Sequence, residues 1–83
     1  PAPYGSAAEI LAHGWLEAVR AEVCAALGIA PEIAFPARLT RRMRDTAVAA
    51  GKVEAASAHL TGWRRLLLEH EFLARAARFG KLP

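Results

Sequence analysis

Large apolar residues recur every four positions near the start of the chain: Leu11, Trp15, Val19, Val23 and Leu27, with Ala8 and Ala12 beside them. That period is helical, and strand alternation is absent from the stretch. Glu9, His13, Glu17 and Arg20 fall on the opposite, polar face. Ser6-Ala-Ala-Glu9 has the form of a capping box, in which the hydroxyl accepts the Glu9 N–H and the glutamate reaches back. Gly28 supplies a left-handed stop and Ile29 an apolar contact beyond it, so the pattern predicts a first helix over about 6–27.

Residues 28–35 read as a connector, and Pro36 fits the first turn of a second helix, where a missing N–H costs nothing. Leu39, Met43, Ala47 and Ala50 mark its inner face and Gly51 ends or kinks it, giving a helix over about 36–50. A heptad pattern follows. Val53, Leu60, Leu67 and Ala74 hold one position; Ala56, Trp63, His70 and Ala77 hold the other. Spacings of three and four kept over 53–77 predict one long helix, about 53–79. Gly62 weakens it, and a true break at Thr61-Gly62 gives four helices instead of three. The fold class expected is all-α. It is a small three-helix or four-helix bundle within one domain, 1–83, built as a helical hairpin plus an N-terminal helix.

Composition narrows this picture. Of 83 residues, 54% are apolar, yet 20 of them are alanine, so few large side chains remain to build a core. A domain of this size gains only a few kcal/mol from its own core. A multidomain enzyme is excluded by length, and a disordered chain by the apolar content and low charge. One cysteine, Cys24, excludes an internal disulfide framework and suits a reducing compartment. No apolar run approaches the ~20 residues that cross a bilayer. The expectation is a small cytoplasmic protein of bacterial type, with Pro1 exposed either by removal of an initiator methionine or by trimming of a longer chain.

The large side chains concentrate in the last helix. Leu66, Leu68, Phe72, Leu73 and Phe79 lie around much of its circumference outside the heptad seam. A helix apolar nearly all round is covered on more than one side. The first two helices supply one explanation and a second chain the other. The expected partner surface is Trp63, Leu66, Phe72, Leu73 and Phe79, because aromatic anchors commonly dominate interface energy. The function expected is a helical protein–protein interaction module, either a homo-oligomer or a small accessory subunit docking on a larger protein.

Charge suggests a second reading. The net charge of +3 is uneven: residues 1–34 are acidic, whereas 35–52 carry Arg38, Arg41, Arg42, Arg44 and Lys52 against Asp45 alone. Cations near a helix N-terminus oppose its macrodipole. Either Glu9, Glu17 or Glu22 of the first helix offsets them, or an external anion does. The alternative function is thus a small nucleic-acid-binding regulator using Arg38, Arg41, Arg42 and Arg44, with Arg64 and Arg65 extending the face. Ala47-Val-Ala-Ala-Gly51 superficially resembles a helix-turn-helix turn, but Lys52 and Ser57 stand where that fold wants apolar residues.

Catalytic and metal chemistry find little support. Glu69-His70-Glu71 lacks the second histidine of a zinc helix, and His59 and His70 sit roughly 16 Å apart along one helix. His70, at a heptad position, is expected to be a packed core group. Cys24 lies near a helix C-terminus, where a thiolate is disfavoured. Amine chemistry at an N-terminal proline belongs on a strand, and Pro1 to Ser6 does not read as one. No enzyme activity, cofactor or metal is expected.

Overall fold

The computed structural model describes residues 5–83, and every regular element among them is helical. The all-α bundle expected from the pattern is the fold. The reading of Pro1 lies outside the described residues.

Helix α1 spans Ala7–Leu27 and begins at the capping box. The Glu9 N–H donates to Ser6 Oγ at 3.2 Å, and the Ser6 N–H donates to Glu9 Oε1 at 3.1 Å. Gly28, at φ 67°, ends it, and both its N–H and that of Ile29 return to the Cys24 carbonyl. The buried ridge is Ala8, Ala12, Leu16, Val19, Val23 and Cys24. It is turned from the expected stripe: Leu11 and Leu27 are exposed and Trp15 is half-buried at the rim. Alanine explains the rotation, because Ala8 and Ala12 let neighbouring backbone approach and push larger side chains to the edges.

A single-turn helix, α2 (Pro31–Ala34), occupies the connector with Pro31 in its first turn. It delivers Ala34 and Phe35 into the core. Helix α3 runs Ala37–Ala50, with Pro36 as its capping residue and Gly51, at φ 76°, as its left-handed stop. Met43 and Ala47 form its buried face. The chain end returns to this stop: the Leu82 N–H donates to the Gly51 carbonyl at 2.8 Å, and the Leu82 side chain is buried.

The expected helix over 53–79 is two elements. Val53–His59 is a 3₁₀ helix, and α4 covers Trp63–Ala76. Between them Gly62 adopts φ 58°, ψ −134°, a conformation essentially reserved for glycine. The break changes the phase of burial. Before it the heptad residues Val53, Ala56 and Leu60 are buried, as the pattern predicts; after it the buried series is Leu68, Phe72 and Ala76. The expected seam residues Trp63, Leu67, His70, Ala74 and Ala77 all face outward. His70 is therefore an exposed group and not a core one. His59 is the histidine held in the structure, with Nε2 2.6 Å from Thr46 Oγ1, tying the 3₁₀ helix to α3.

The core is continuous across all these elements. Phe35 meets Phe72 with ring centroids 6.4 Å apart. Helix α4 lies against α1 in the opposite sense, with Trp15 stacked on Phe79 at 5.0 Å and Glu22 bound to Arg75 and Arg78. No helix among the described residues is long and apolar enough to cross a membrane.

Candidate interaction surfaces

Helix α4 carries two apolar faces. Its inner face, Leu68, Phe72 and Ala76, fills the core. On the opposite side, at spacings of three and four, stand Trp63, Leu66, Leu67, Ala74 and Ala77, with the polar His70 midway among them. Leu66 is 87% exposed, Leu67 55% and Trp63 42%. Ile33 of α2, 60% exposed, adjoins the same end. Arg64 makes that junction: its Nε donates to the Ala34 carbonyl and its Nη2 to the Ile33 carbonyl, both at 2.9 Å, while the guanidinium lies 4.6 Å over the Trp63 ring. Arg64 thus closes the C-terminal end of α2 and stiffens the indole beside it, instead of extending a basic face.

The structure separates the five expected interface residues. Trp63 and Leu66 are exposed. Phe72 is a core residue, 1% exposed, and is unavailable to a second chain. Leu73 and Phe79 are half-buried against the core, Phe79 between Trp15 and the Arg78 guanidinium. The difference has a simple cause. A heptad continued through Gly62 puts Leu67 inward and Phe72 toward the outer circumference; a break at Gly62 reverses both. Leu67 and Ile33 escaped the sequence reading, Leu67 because the heptad assigned it to the core and Ile33 because nothing local marks it.

The charges of the bundle are also sorted. Glu22 forms a bidentate ion pair with Arg78 and lies 3.9 Å from Arg75, which also pairs with Glu71 at 2.7 Å. The hydrogen bonds from Arg78 hold the Glu22 carboxyl below its ordinary range. Glu9 is engaged in the capping box, and Glu17 reaches only Arg20, at 3.8 Å. The acidic first segment therefore pairs within itself and with the C-terminal segment, and no carboxylate of α1 lies within ion-pairing distance of an α3 arginine.

Between α1 and α3 lies an open cavity of about 220 Å³. His13, Glu17 and Arg20 line one wall; Thr40, Arg41 and Arg44 line the other, with Leu16 and Ala37 as apolar floor. The four arginines of α3 are thus split: Arg41 and Arg44 face the cavity, and Arg38 and Arg42 do not. Arg20, assigned by its spacing to a wet face, belongs to this groove and anchors it, donating through Nε to the Phe35 carbonyl at 3.1 Å. Cys24, one turn beyond Arg20 on α1, is buried, and burial pushes its thiol pKa up while Arg20 partly opposes the shift. That holds the sulfur as an unreactive thiol.

Compared with known proteins, the chain matches no family model, no curated protein and no solved structure.

Proposed function

We propose that this chain is a helical protein–protein interaction module that self-associates through the outer face of α4. One observation carries the reading: Trp63, Leu66 and Leu67 stand exposed together, in line with Ala74 and Ala77, on a helix whose opposite face already fills the core. Scattered single apolar residues on a surface are ordinary; a contiguous stripe on one helix face is the form that interfaces take. Its period of three and four is the spacing by which one helix packs along another. The stripe is graded in size, large at Trp63 to Leu67 and small at Ala74 and Ala77. Antiparallel pairing of two copies sets the large end of each against the small end of the other. This complementarity favours a two-fold dimer over a foreign partner as the occupant.

In such a dimer every side chain acts twice. Burying a leucine contributes roughly 1.5–3 kcal/mol, so a single substitution removes about double that per dimer. The test is light scattering on size-fractionated protein across micromolar concentrations. The expected result is a dimer that Leu66→Glu converts to a folded monomer with an unchanged circular dichroism spectrum. A wild-type chain that stays monomeric at about 100 μM, where a micromolar dimer is well populated, rejects self-association and leaves docking on a larger protein as the alternative.

A further inference from the structure

The α1/α3 groove is a separate surface, and its charge is unresolved within the protein. Three guanidinium groups, from Arg20, Arg41 and Arg44, stand around it against the single carboxylate of Glu17. Arg41 has no carboxylate within 4.0 Å among the described residues. Arg44 has one, Asp45, but at 3.8 Å, beyond hydrogen bonding. Its Nε is shielded from solvent and has no acceptor among the described residues, the one buried side-chain donor in this condition. A buried donor without a partner is an unusual arrangement in a folded protein. The first turn of α3 opens at the same place, with no side-chain cap at Pro36 and no acidic residue. The positive end of that helix therefore adds to the field of the arginines.

We propose that this groove binds the phosphate monoester of a small organic molecule, held chiefly by Arg41 and Arg44 with Arg20 closing the far side. Charge is the first argument. Between its three arginines and one glutamate, the lining carries two more positive charges than negative, and a phosphate monoester is mostly a dianion near neutral pH. Shape is the second. Arg20 comes from α1 while Arg41 and Arg44 come from α3, so donors converge from two walls. A tetrahedral phosphoryl group offers three acceptor oxygens in different directions, whereas a carboxylate offers two in one plane. Size is the third. A cavity of about 220 Å³ is smaller than the usual site for a drug-sized ligand, which suits a phosphoryl group with a modest substituent. Leu16 and Ala37 supply apolar contact for that substituent. Thr40 is not a donor here, because its hydroxyl is directed to the Phe35 and Pro36 carbonyls at 3.2 Å.

The phosphodiester of a nucleic-acid backbone is the competing ligand, and the test separates it from a small phosphate monoester. Phenyl phosphate is titrated into the whole chain and followed by amide chemical shifts, with benzoate and a single-stranded oligonucleotide in parallel. The expected result is saturable one-to-one binding of phenyl phosphate that moves amides of residues 13–20 and 37–44, with benzoate at least about tenfold weaker. Arg41→Met and Arg44→Met are each expected to weaken it by about tenfold or more, as loss of a charge-assisted contact does. Arg38→Met and Arg42→Met, equal in charge change but outside the groove, are expected to leave it within about twofold. Arg41 is exposed, so its variant remains informative if Arg44→Met fails to fold. The proposal is overturned by absent saturation, by equal binding of benzoate, or by equal losses at Arg38 and Arg42. An oligonucleotide that binds tighter than phenyl phosphate and moves the same amides also overturns it, in favour of a nucleic-acid backbone.

Discussion

The two faces of α4 have similar composition and opposite fates. Leu68, Phe72 and Ala76 are fully buried against α1 and the 3₁₀ helix; Trp63, Leu66 and Leu67 lie in solvent one half-turn away. Apolarity does not distinguish them. What does is the backbone at Gly62, whose positive φ sets the rotation with which the helix leaves the turn. The inner face is therefore a consequence of the break, and the outer face is what the break leaves uncovered. In the proposed dimer, that uncovered stripe is the surface a second copy buries.

Mutation separates the two faces most sharply at Phe72 and Leu66. Phe72→Ala removes a ring that packs on Phe35 in the middle of the core. The expected loss is about 3–5 kcal/mol, a large part of the ~5–15 kcal/mol typical of a small domain. Urea denaturation of dilute protein measures it. Leu66→Ala, measured in the same way, is expected to change monomer stability by less than about 0.5 kcal/mol, as surface substitutions do. Equal losses at the two positions contradict the assignment of inner and outer faces.

Gly62→Ala tests the turn itself. A side chain at φ 58°, ψ −134° is strained whatever space surrounds it, and nothing lies within 4 Å of the added Cβ. The cost is therefore conformational, about 1–3 kcal/mol. If instead the chain responds by joining the 3₁₀ helix to α4, helical circular dichroism rises and the heptad face turns inward. Unchanged helicity with lowered stability is the expected outcome. A stability equal to wild type means the break is not held by this glycine.

The sequence made the helices legible because their signals are local. Ser6 with Glu9, Gly28 and Gly51 each act within one turn, and each stands where the pattern put it. The all-α class follows from the same period. The phase of α4 was not legible, because it depends on whether Gly62 is tolerated within a helix or used to leave one. Two of five expected interface residues, Trp63 and Leu66, are exposed, and Phe72 is not, for that one reason. The α1/α3 groove was half legible: the arginine cluster is obvious in the chain, but its division into Arg41 and Arg44 against Arg38 and Arg42 requires α1 as the opposite wall. Arg20 and Arg64 illustrate a further limit. Each is committed to backbone carbonyls far along the chain, and no spacing rule foretells such a partner.

The smallest effect concerns how the inner face is fastened at its C-terminal end. Glu22 binds Arg78 through both carboxylate oxygens, with Arg75 close by. These contacts favour the ionised carboxylate, so its folded pKa lies below the ordinary value. The sign follows directly: the folded state binds this proton less readily than the unfolded state does. The contribution is fully present above the unfolded pKa and disappears as pH falls through the folded one. Glu22→Gln is expected to lower the melting temperature slightly at neutral pH. The two melting curves then converge in acid, below the ordinary carboxylate range. Because the pair is exposed, added salt narrows the neutral-pH difference. A difference between wild type and Glu22→Gln that stays constant from neutral pH into acid means that the ion pair contributes nothing. Attachment of α4 to α1 then rests on the apolar contacts of Leu68, Phe72 and Ala76 and on the Trp15–Phe79 stack.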